Sequence, residues 1–411
     1  MNKHFYGLYD AGNSSFQMIV ITFIIGPYLI NEVASNAQQA TVYWYLASGL
    51  LALVVGLIGP FVGNLSDTKI KNGRFIIFYA TTIFCCFCMS LFWFIKPDHN
   101  YFFTGLFIFF IGTIFYELSF MFYNSFLFEL SSNKTMGHYS GVGYAWGYFG
   151  AVPIFIFSLI FFILPDQTLF DLNKSEFEHK RILPVLGAVY FFVLTMPFIQ
   201  KLKARKFKKF KTINFFQFIK KILIQKKKFT ELSKLLIIRI FYTDAITIIS
   251  LGLGIYATIV HNYSVKELIV LVIFGNLVAC IGSVVGGNLN DKWGSKKTLF
   301  WSITVAMVAM VCAIISENKN QFLYSVLLLS TIAGPMQSST RVLMSRLTQN
   351  DRPGIKFGLY TFSGRATSFL GPLLASVFAV LFGAKYSLFA TLPLFGVALF
   401  LITKLKVKKN L

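Results

Sequence analysis

Runs of apolar residues, each long enough to cross a bilayer, follow one another along almost the whole chain, and nothing else constrains the fold so tightly. A helix rises about 1.5 Å per residue, so about 20 residues cross a hydrocarbon core roughly 30 Å thick. By that measure the chain holds about twelve spans. They lie near 11–31, 42–62, 75–95, 102–126, 140–164 and 183–200, then 234–259, 267–286, 298–316, 322–343, 357–382 and 385–403. Six, a break, then six is the natural parse. With 56% of its 411 residues hydrophobic and 13% charged, the chain has more apolar surface than a soluble fold of this length hides. The expectation is a multi-pass all-α membrane protein. Met1 to Gly7 show no cleavable signal pattern, so the first run belongs to the mature chain.

The formal charge of +22 would suggest nucleic acid in a soluble protein. Here the positive residues sit between spans, which makes them a topology signal and removes the nucleic-acid reading. The densest block is the break itself. It holds Lys201, Lys203, Arg205, Lys206, Lys208, Lys209 and Lys211, then Lys220, Lys221 and Lys226 to Lys228, opposed only by Glu231. Such a segment belongs on the cytoplasmic side. Counting spans outward from it puts both termini there too, in agreement with Lys404, Lys406, Lys408 and Lys409 after the last span. The opposite loops, such as 165–182, mix both signs. Within the break, Phe215, Phe218, Ile219, Ile222 and Leu223 keep helical spacing between lysines. That pattern predicts an interfacial helix lying on anionic headgroups. The expected units are 1–200, a linker 201–233 and 234–411.

A short phrase occurs twice. Gly63-Asn64-Leu65-Ser66-Asp67 closes the second span and Gly287-Asn288-Leu289-Asn290-Asp291 closes the eighth. Basic residues follow each: Lys69, Lys71 and Arg74, then Lys292, Lys296 and Lys297. The offset implies two similar halves. Glycine permits close helix approach. Aspartate at a span end pairs with a base or caps a neighbouring helix. Gly63, Asp67, Arg74, Gly287, Asp291, Gly294 and Lys296 are therefore candidates for a gating surface.

Ionisable residues at membrane depth are costly and point to function. Asp244 lies about ten residues, hence about 15 Å, into the seventh span. Arg365 sits at similar depth in the eleventh, Glu117 within the fourth and Asp10 at the start of the first. Asp244 and Arg365 either pair with each other or face a cavity, Arg365 taking a substrate carboxylate and Asp244 an amine or a coupling proton. Arg239, Arg341 and Arg346, nearer the span ends, read as snorkelling. Polar residues interrupting the spans, among them Asn13, Tyr123, Asn124, Tyr242 and Ser363, should face the interior. Cys85, Cys86 and Cys88 read as small hydrophobic helix residues, without a metal partner. No phosphate-binding loop, zinc motif, nucleophile elbow or dinucleotide fingerprint appears, so neither a cofactor nor an enzyme activity is expected.

The repeated phrase resembles the conserved loop of the major facilitator superfamily, G-x-L-x-D-[RK]-x-G-[RK]-[RK]. Gly287 to Lys297 fits well, with Gly294 three residues after Asp291. In the first copy Ile70 stands there and the glycine comes at Gly73, as if about three residues were inserted. The resemblance implies the major facilitator fold, twelve transmembrane helices in two pseudo-symmetric six-helix bundles. Other segments resemble one branch, the vacuole effluxer family, whose eukaryotic members are autophagy-related amino-acid effluxers. Tyr9-Asp10-Ala11-Gly12-Asn13-Ser14 is similar to its Y-D-W-A-N-S, Phe122-Tyr123-Asn124 to its F-Y-N, and Tyr242-Thr243-Asp244 to its Y-N-D. Gly334-Pro335-Met336-Gln337 and Phe362-Ser363-Gly364-Arg365-Ala366-Thr367 through Gly371-Pro372 follow it closely, Arg365 standing where Lys is usual.

That resemblance implies a secondary transporter, monomeric, in a bacterial inner membrane, moving a small polar organic solute with amino acids favoured. A proton or sodium ion is the expected coupling ion. The first span also resembles, over a shorter stretch, the opening of glycoside–cation symporters. A sugar symporter, or a non-transporting receptor or assembly protein on the same fold, are the alternatives.

Overall fold

The computed structural model describes residues 2–348, 351–365 and 367–407; Ala366, Lys408 and Lys409 lie outside them. Among the described residues eleven helical spans are long and apolar enough to cross a bilayer. The first six are Lys3–Val33, Ala37–Thr68, Gly73–Phe94, His99–Ser125, Met136–Ile163 and Glu178–Lys203. After the linker come Glu231–His261, Lys266–Lys292, Ser295–Ile314, Pro353–Phe382 and Tyr386–Lys404. Between the ninth and eleventh spans, helix Lys319–Thr348 packs on the fifth, eighth and ninth and completes the set of twelve. Its lower hydropathy comes from a buried polar end: Ser338, Ser339, Thr340, Arg341, Ser345 and Arg346 all point into protein.

The spans are longer than their apolar runs. The first begins at Lys3, capped by the Asn2 side chain accepting from His4 N–H. Its polar opening, including Asp10 and Asn13, is buried against protein and so does not need lipid. It then widens into π-helical turns over Phe16–Phe23 and Leu29–Val33, a local irregularity that the hydropathy pattern does not reveal. The sixth span runs on to Lys203, and the seventh starts at Glu231 behind Thr230, whose hydroxyl accepts from Ser233 N–H. The linker is thereby shortened at both ends. It holds one helix, Phe215–Leu223, and a small hairpin pairing Ile224 with Phe229 and Gln225 with Lys228. The eleventh span is two helices, Pro353–Arg365 and Leu370–Phe382.

Apolar residues face outward as well as inward. Leu46, Leu50, Leu53, Leu57, Phe61 and Leu65 form an exposed stripe down the second span. Water would not tolerate so much of it, whereas hydrocarbon does. The protein is a multi-pass integral membrane protein. Within the bilayer helices gain little from the hydrophobic effect, so close packing and hydrogen bonds must hold them. The two halves meet along two helix pairs, second with eleventh and fifth with eighth, and both crossings are lined with glycine.

Candidate functional site

The seam between the halves is built in layers, starting at the face that carries the linker. There each repeated aspartate caps a helix of the other half. Asp67 Oδ2 accepts from Ile355 N–H at 3.0 Å, at the start of the eleventh span. Asp291 accepts from Gly137 N–H at 2.7 Å and His138 N–H at 2.8 Å, at the start of the fifth. A carboxylate at a helix N-terminus satisfies orphan donors and opposes the positive end of the dipole. Glycine makes these contacts possible. A Cβ on Gly358 would stand 2.6 Å from Gly59 C and O, and one on Gly287 would stand 2.9 Å from Gly141 Cα. Gly63 lies likewise against the backbone of Gly354.

The other loop candidates divide. Arg74 is buried and donates to Glu129 at 2.5 Å, with Asp67 Oδ1 at 3.9 Å. Gly294 takes φ +88° with open space around it, so it makes the turn into the ninth span rather than a helix contact. Lys296 donates to the carbonyls of Thr403 at 3.2 Å and Leu405 at 2.6 Å, closing the end of the twelfth span within its own half. Neither Gly294 nor Lys296 reaches the seam.

About 5 Å further in, counted along the fifth span from Gly137 to Ser140, lies a buried node. Arg341, expected to snorkel, is wholly buried. It reaches from the tenth span into the first half. Its Nε donates to Ser140 Oγ at 2.9 Å, one terminal nitrogen to Asn124 Oδ1 at 3.0 Å and the other to Ser140 O at 2.6 Å. Asp10 Oδ2 is 3.7 Å from the guanidinium and accepts from Tyr123 O–H at 3.3 Å. The cation lies 4.1 Å from the Tyr144 ring centroid and 5.5 Å from those of Tyr6 and Tyr123. A buried charge needs such partners. Arg346 also crosses the seam, donating to Asn133 O at 3.1 Å.

The next layer holds the most exposed charge of the seam's ion pairs, Arg365. Arg365 donates a charge-assisted hydrogen bond to Glu117 across the seam, and it does not pair with Asp244. The two partners differ in access: the Arg365 side chain is 44% exposed and that of Glu117 only 6%. Tyr116, beside Glu117, donates to Gln17 Oε1 at 3.0 Å. Arg239 does not snorkel either. It donates to Tyr360 O and, at 3.3 Å, to Ser363 Oγ; its guanidinium lies 3.8 Å from the Tyr360 ring centroid, and its Nε is buried without an acceptor. Tyr242 joins Thr340 at 2.7 Å. The layer thus holds two guanidiniums and one carboxylate.

Two candidates stand apart. Asn13 donates to Tyr9 O–H at 3.3 Å, and Tyr9 meets Ser119 at 2.5 Å, inside the first half and away from the seam. Asp244 is 2% exposed and, among the described residues, has no ion-pair partner. Gly371 of the broken eleventh span packs on its backbone. Glu129, Ser140, Arg341 and Arg352 were not singled out as site residues from sequence. The one available signal was an arginine, Arg341, inside a run of small polar residues. Among the described residues no group of three His, Cys, Asp or Glu side chains is placed to hold a metal ion. Cys85, Cys86 and Cys88 are buried free thiols in the third span.

Residues 235–410 match the family model described as Major Facilitator Superfamily. The match lies in the second set of helices and covers less than half of the chain. The uncharacterized MFS-type transporter YxiO of Bacillus subtilis (strain 168) is 23% identical over 403 residues, covering 96% of this chain and 92% of its own length. Among solved structures, the proton:xylose symporter XylE superposes with a TM-score of 0.78 at 12% identity, covering 99% of this chain and 96% of its own. A bacterial homologue of the iron transporter ferroportin, in an outward-facing state, gives 0.74 at 13% identity, covering 98% and 97%. At such identities the structures establish the major facilitator fold. Its two halves and twelve helices are those of this chain.

Proposed function

We propose that this chain, which has the major facilitator fold, belongs to that superfamily and is a secondary transporter that moves a small polar organic solute by alternating access. The observation that carries the reading is the Glu117–Arg365 pair. It joins the two halves in the cleft, and its cation is accessible while the Asp67 and Asp291 caps and the Arg341 node shut the linker-bearing face. Rocking of the units 1–200 and 234–411 about this layer would exchange one sealed face for the other. The basic linker and both termini are assigned to the cytoplasmic side of a bacterial inner membrane by their charge, with anionic headgroups beside the linker. The protein acts as a monomer and leaves its solute chemically unchanged.

An amino acid is the favoured solute. Two guanidiniums against one carboxylate leave the cleft with excess positive charge, which suits a substrate carboxylate. Arg365 is the accessible bidentate donor for it. Asp244 is the carboxylate left for an ammonium group, and Glu117, Asp244 and Asp10 are the carboxylates proposed for a coupling proton or sodium ion. The residues shared with the vacuole effluxer branch, Asp10, Tyr123 and Asn124, are those of the node, and Arg365 keeps a cation where that branch usually has Lys, which supports placing the chain near that branch.

The test begins with thermal-shift screening of the purified protein against amino acids, peptides, sugars and organic acids, followed by uptake into proteoliposomes. Arg365→Ala is expected to weaken a carboxylate substrate by at least about tenfold, the scale of a lost charged hydrogen bond. Unchanged affinity removes the assigned role. Uptake indifferent to both pH gradient and sodium removes the coupling. Absence of counterflow for every solute in the screen favours a receptor on the transporter fold.

A further inference from the structure

We infer that the linker helix Phe215–Leu223 and the hairpin after it dock on anionic phospholipid headgroups, and that this docking latches the second and eleventh spans together. The inference deepens the proposed transport cycle, on which it rests for the meaning of an open linker-bearing face.

The linker is bound to both halves at the seam. Phe210 N–H donates to the main-chain carbonyl of Asp67 at 2.8 Å, the residue that caps the eleventh span. Phe207 N–H donates to Asn72 Oδ1 at 3.0 Å. Both rings are buried, and each lies under a guanidinium: Phe207 is 5.0 Å from Arg74 and Phe210 is 5.3 Å from Arg352. Arg74 belongs to the first half. Arg352, at the start of the eleventh span, belongs to the second. Arg352 also donates to Lys211 O at 3.0 Å and lies 5.1 Å from the Phe218 ring. If the second span parts from the eleventh, the linker cannot keep both sets of contacts.

The linker helix sits where lipid meets this seam. The apolar stripe Phe218, Ile219, Ile222 and Leu223, expected to lie on lipid, is turned half-buried onto protein. Phe215 stacks at 4.5 Å on Phe61, one residue of the exposed stripe of the second span. The helix is therefore at the edge of the bilayer. On its outer side Phe216 is 73% exposed, and Ile224 and Phe229 of the hairpin are exposed as well. Around them stand Lys220, Lys221, Lys226, Lys227 and Lys228, all exposed. Lys226 and Lys227 form the hairpin tip with φ of 50° and 60°, a left-handed turn more often given to Asn-Gly. Five cations around three exposed apolar groups at the membrane edge match an anionic headgroup layer with acyl chains beneath it. Held there, Phe215 stays on Phe61 and Phe218 stays by Arg352, so both halves remain tied.

The test uses the full chain in nanodiscs of phosphatidylcholine alone or with phosphatidylglycerol, with spin labels on non-natural amino acids at Lys71 and Lys297. Phosphatidylglycerol is expected to raise the closed-to-open ratio at the linker-bearing face by about fivefold or more, the weight of one lysine near an anionic surface. Backbone amides of 215–229 should exchange more slowly in the same discs. Replacing Lys220, Lys221, Lys226, Lys227 and Lys228 by Gln should abolish both effects. Phe210→Ala should abolish the first and keep the second. Identical distance distributions in the two lipids, or a lipid response that survives the lysine replacements, overturns the latch. Solute uptake is measured separately, so a transporter without a latch and a latch without transport give different results.

Discussion

Removing the two trans caps should open the linker-bearing face. In Asp67→Ala the Ile355 N–H loses its acceptor, and in Asp291→Ala the Gly137 and His138 N–H groups lose theirs. Replacing a capping side chain by Ala costs about 0.5–2 kcal/mol. These caps exist only when the halves meet, so that cost falls on the closed state alone. Asp291 serves two donors and should lie near the upper end, about 2 kcal/mol, which is about thirtyfold in the closed-to-open ratio. Asp67 serves one donor at 3.0 Å and is also held by Arg74, so about 1 kcal/mol is expected. The two sites share no partner, and the double variant should shift the ratio by about 3 kcal/mol, more than a hundredfold. Spin-label distances between Lys71 and Lys297 read this directly, with wild type, both single variants and the double variant in one lipid. A double variant with the wild-type distribution refutes the reasoning, because the closed face would then be held by something other than the caps. Equal effects of the two single variants would refute the count of donors as the source of the difference.

Gly358→Val should act in the same direction by steric means, since its Cβ would stand 2.6 Å from the Gly59 and Pro60 backbone; loss of the closed distance population checks it. Arg341→Met leaves Asp10 buried beside a tyrosine cage without its cation and should lower unfolding stability by about 3–5 kcal/mol. Adding Asp10→Asn should recover a large part of that loss in a thermal unfolding assay. Arg341→Lys should not restore stability, because an ammonium cannot serve Ser140 and Asn124 with the same fork. Glu117→Gln keeps a hydrogen-bond acceptor for Arg365 but removes the ion pair, so substrate binding should persist while any dependence of uptake on the pH gradient falls; an unchanged dependence assigns coupling elsewhere.

The helical spans were legible because hydropathy reports contact with lipid. The same property hid their ends. Lys3 to Asp10 and Met344 to Thr348 are helical but satisfied by protein, so their polarity reads as loop. Glu117, Arg365 and Asp10 could each be picked out by depth, since an ionisable group in a span is rare. Their pairing could not. Depth along one helix says nothing about which residue faces it across a seam, and Arg365 meets a partner 248 positions away. Arg341 failed for a related reason. Its distance from the span end is compatible with snorkelling, and only the presence of Asp10, Asn124 and Ser140 on other helices removes that option.

The repeated phrase shows what a sequence repeat can and cannot encode. Its aspartate does the same work in each copy, but always on the opposite half: Asp67 serves Ile355, and Asp291 serves Gly137 and His138. A repeat within each half would suggest contacts within each half. The pseudo-two-fold relation instead makes the contacts reciprocal, so the seal is symmetric and fails on both helix pairs together. Deeper in, the symmetry stops. Arg341 enters the first half from the second and finds Asp10, while Glu117 extends from the first half to an exposed Arg365. A seal can be symmetric because closing and opening treat both halves alike. A site that distinguishes one end of a solute from the other cannot, and the asymmetric Glu117–Arg365 layer is where this chain departs from its own repeat.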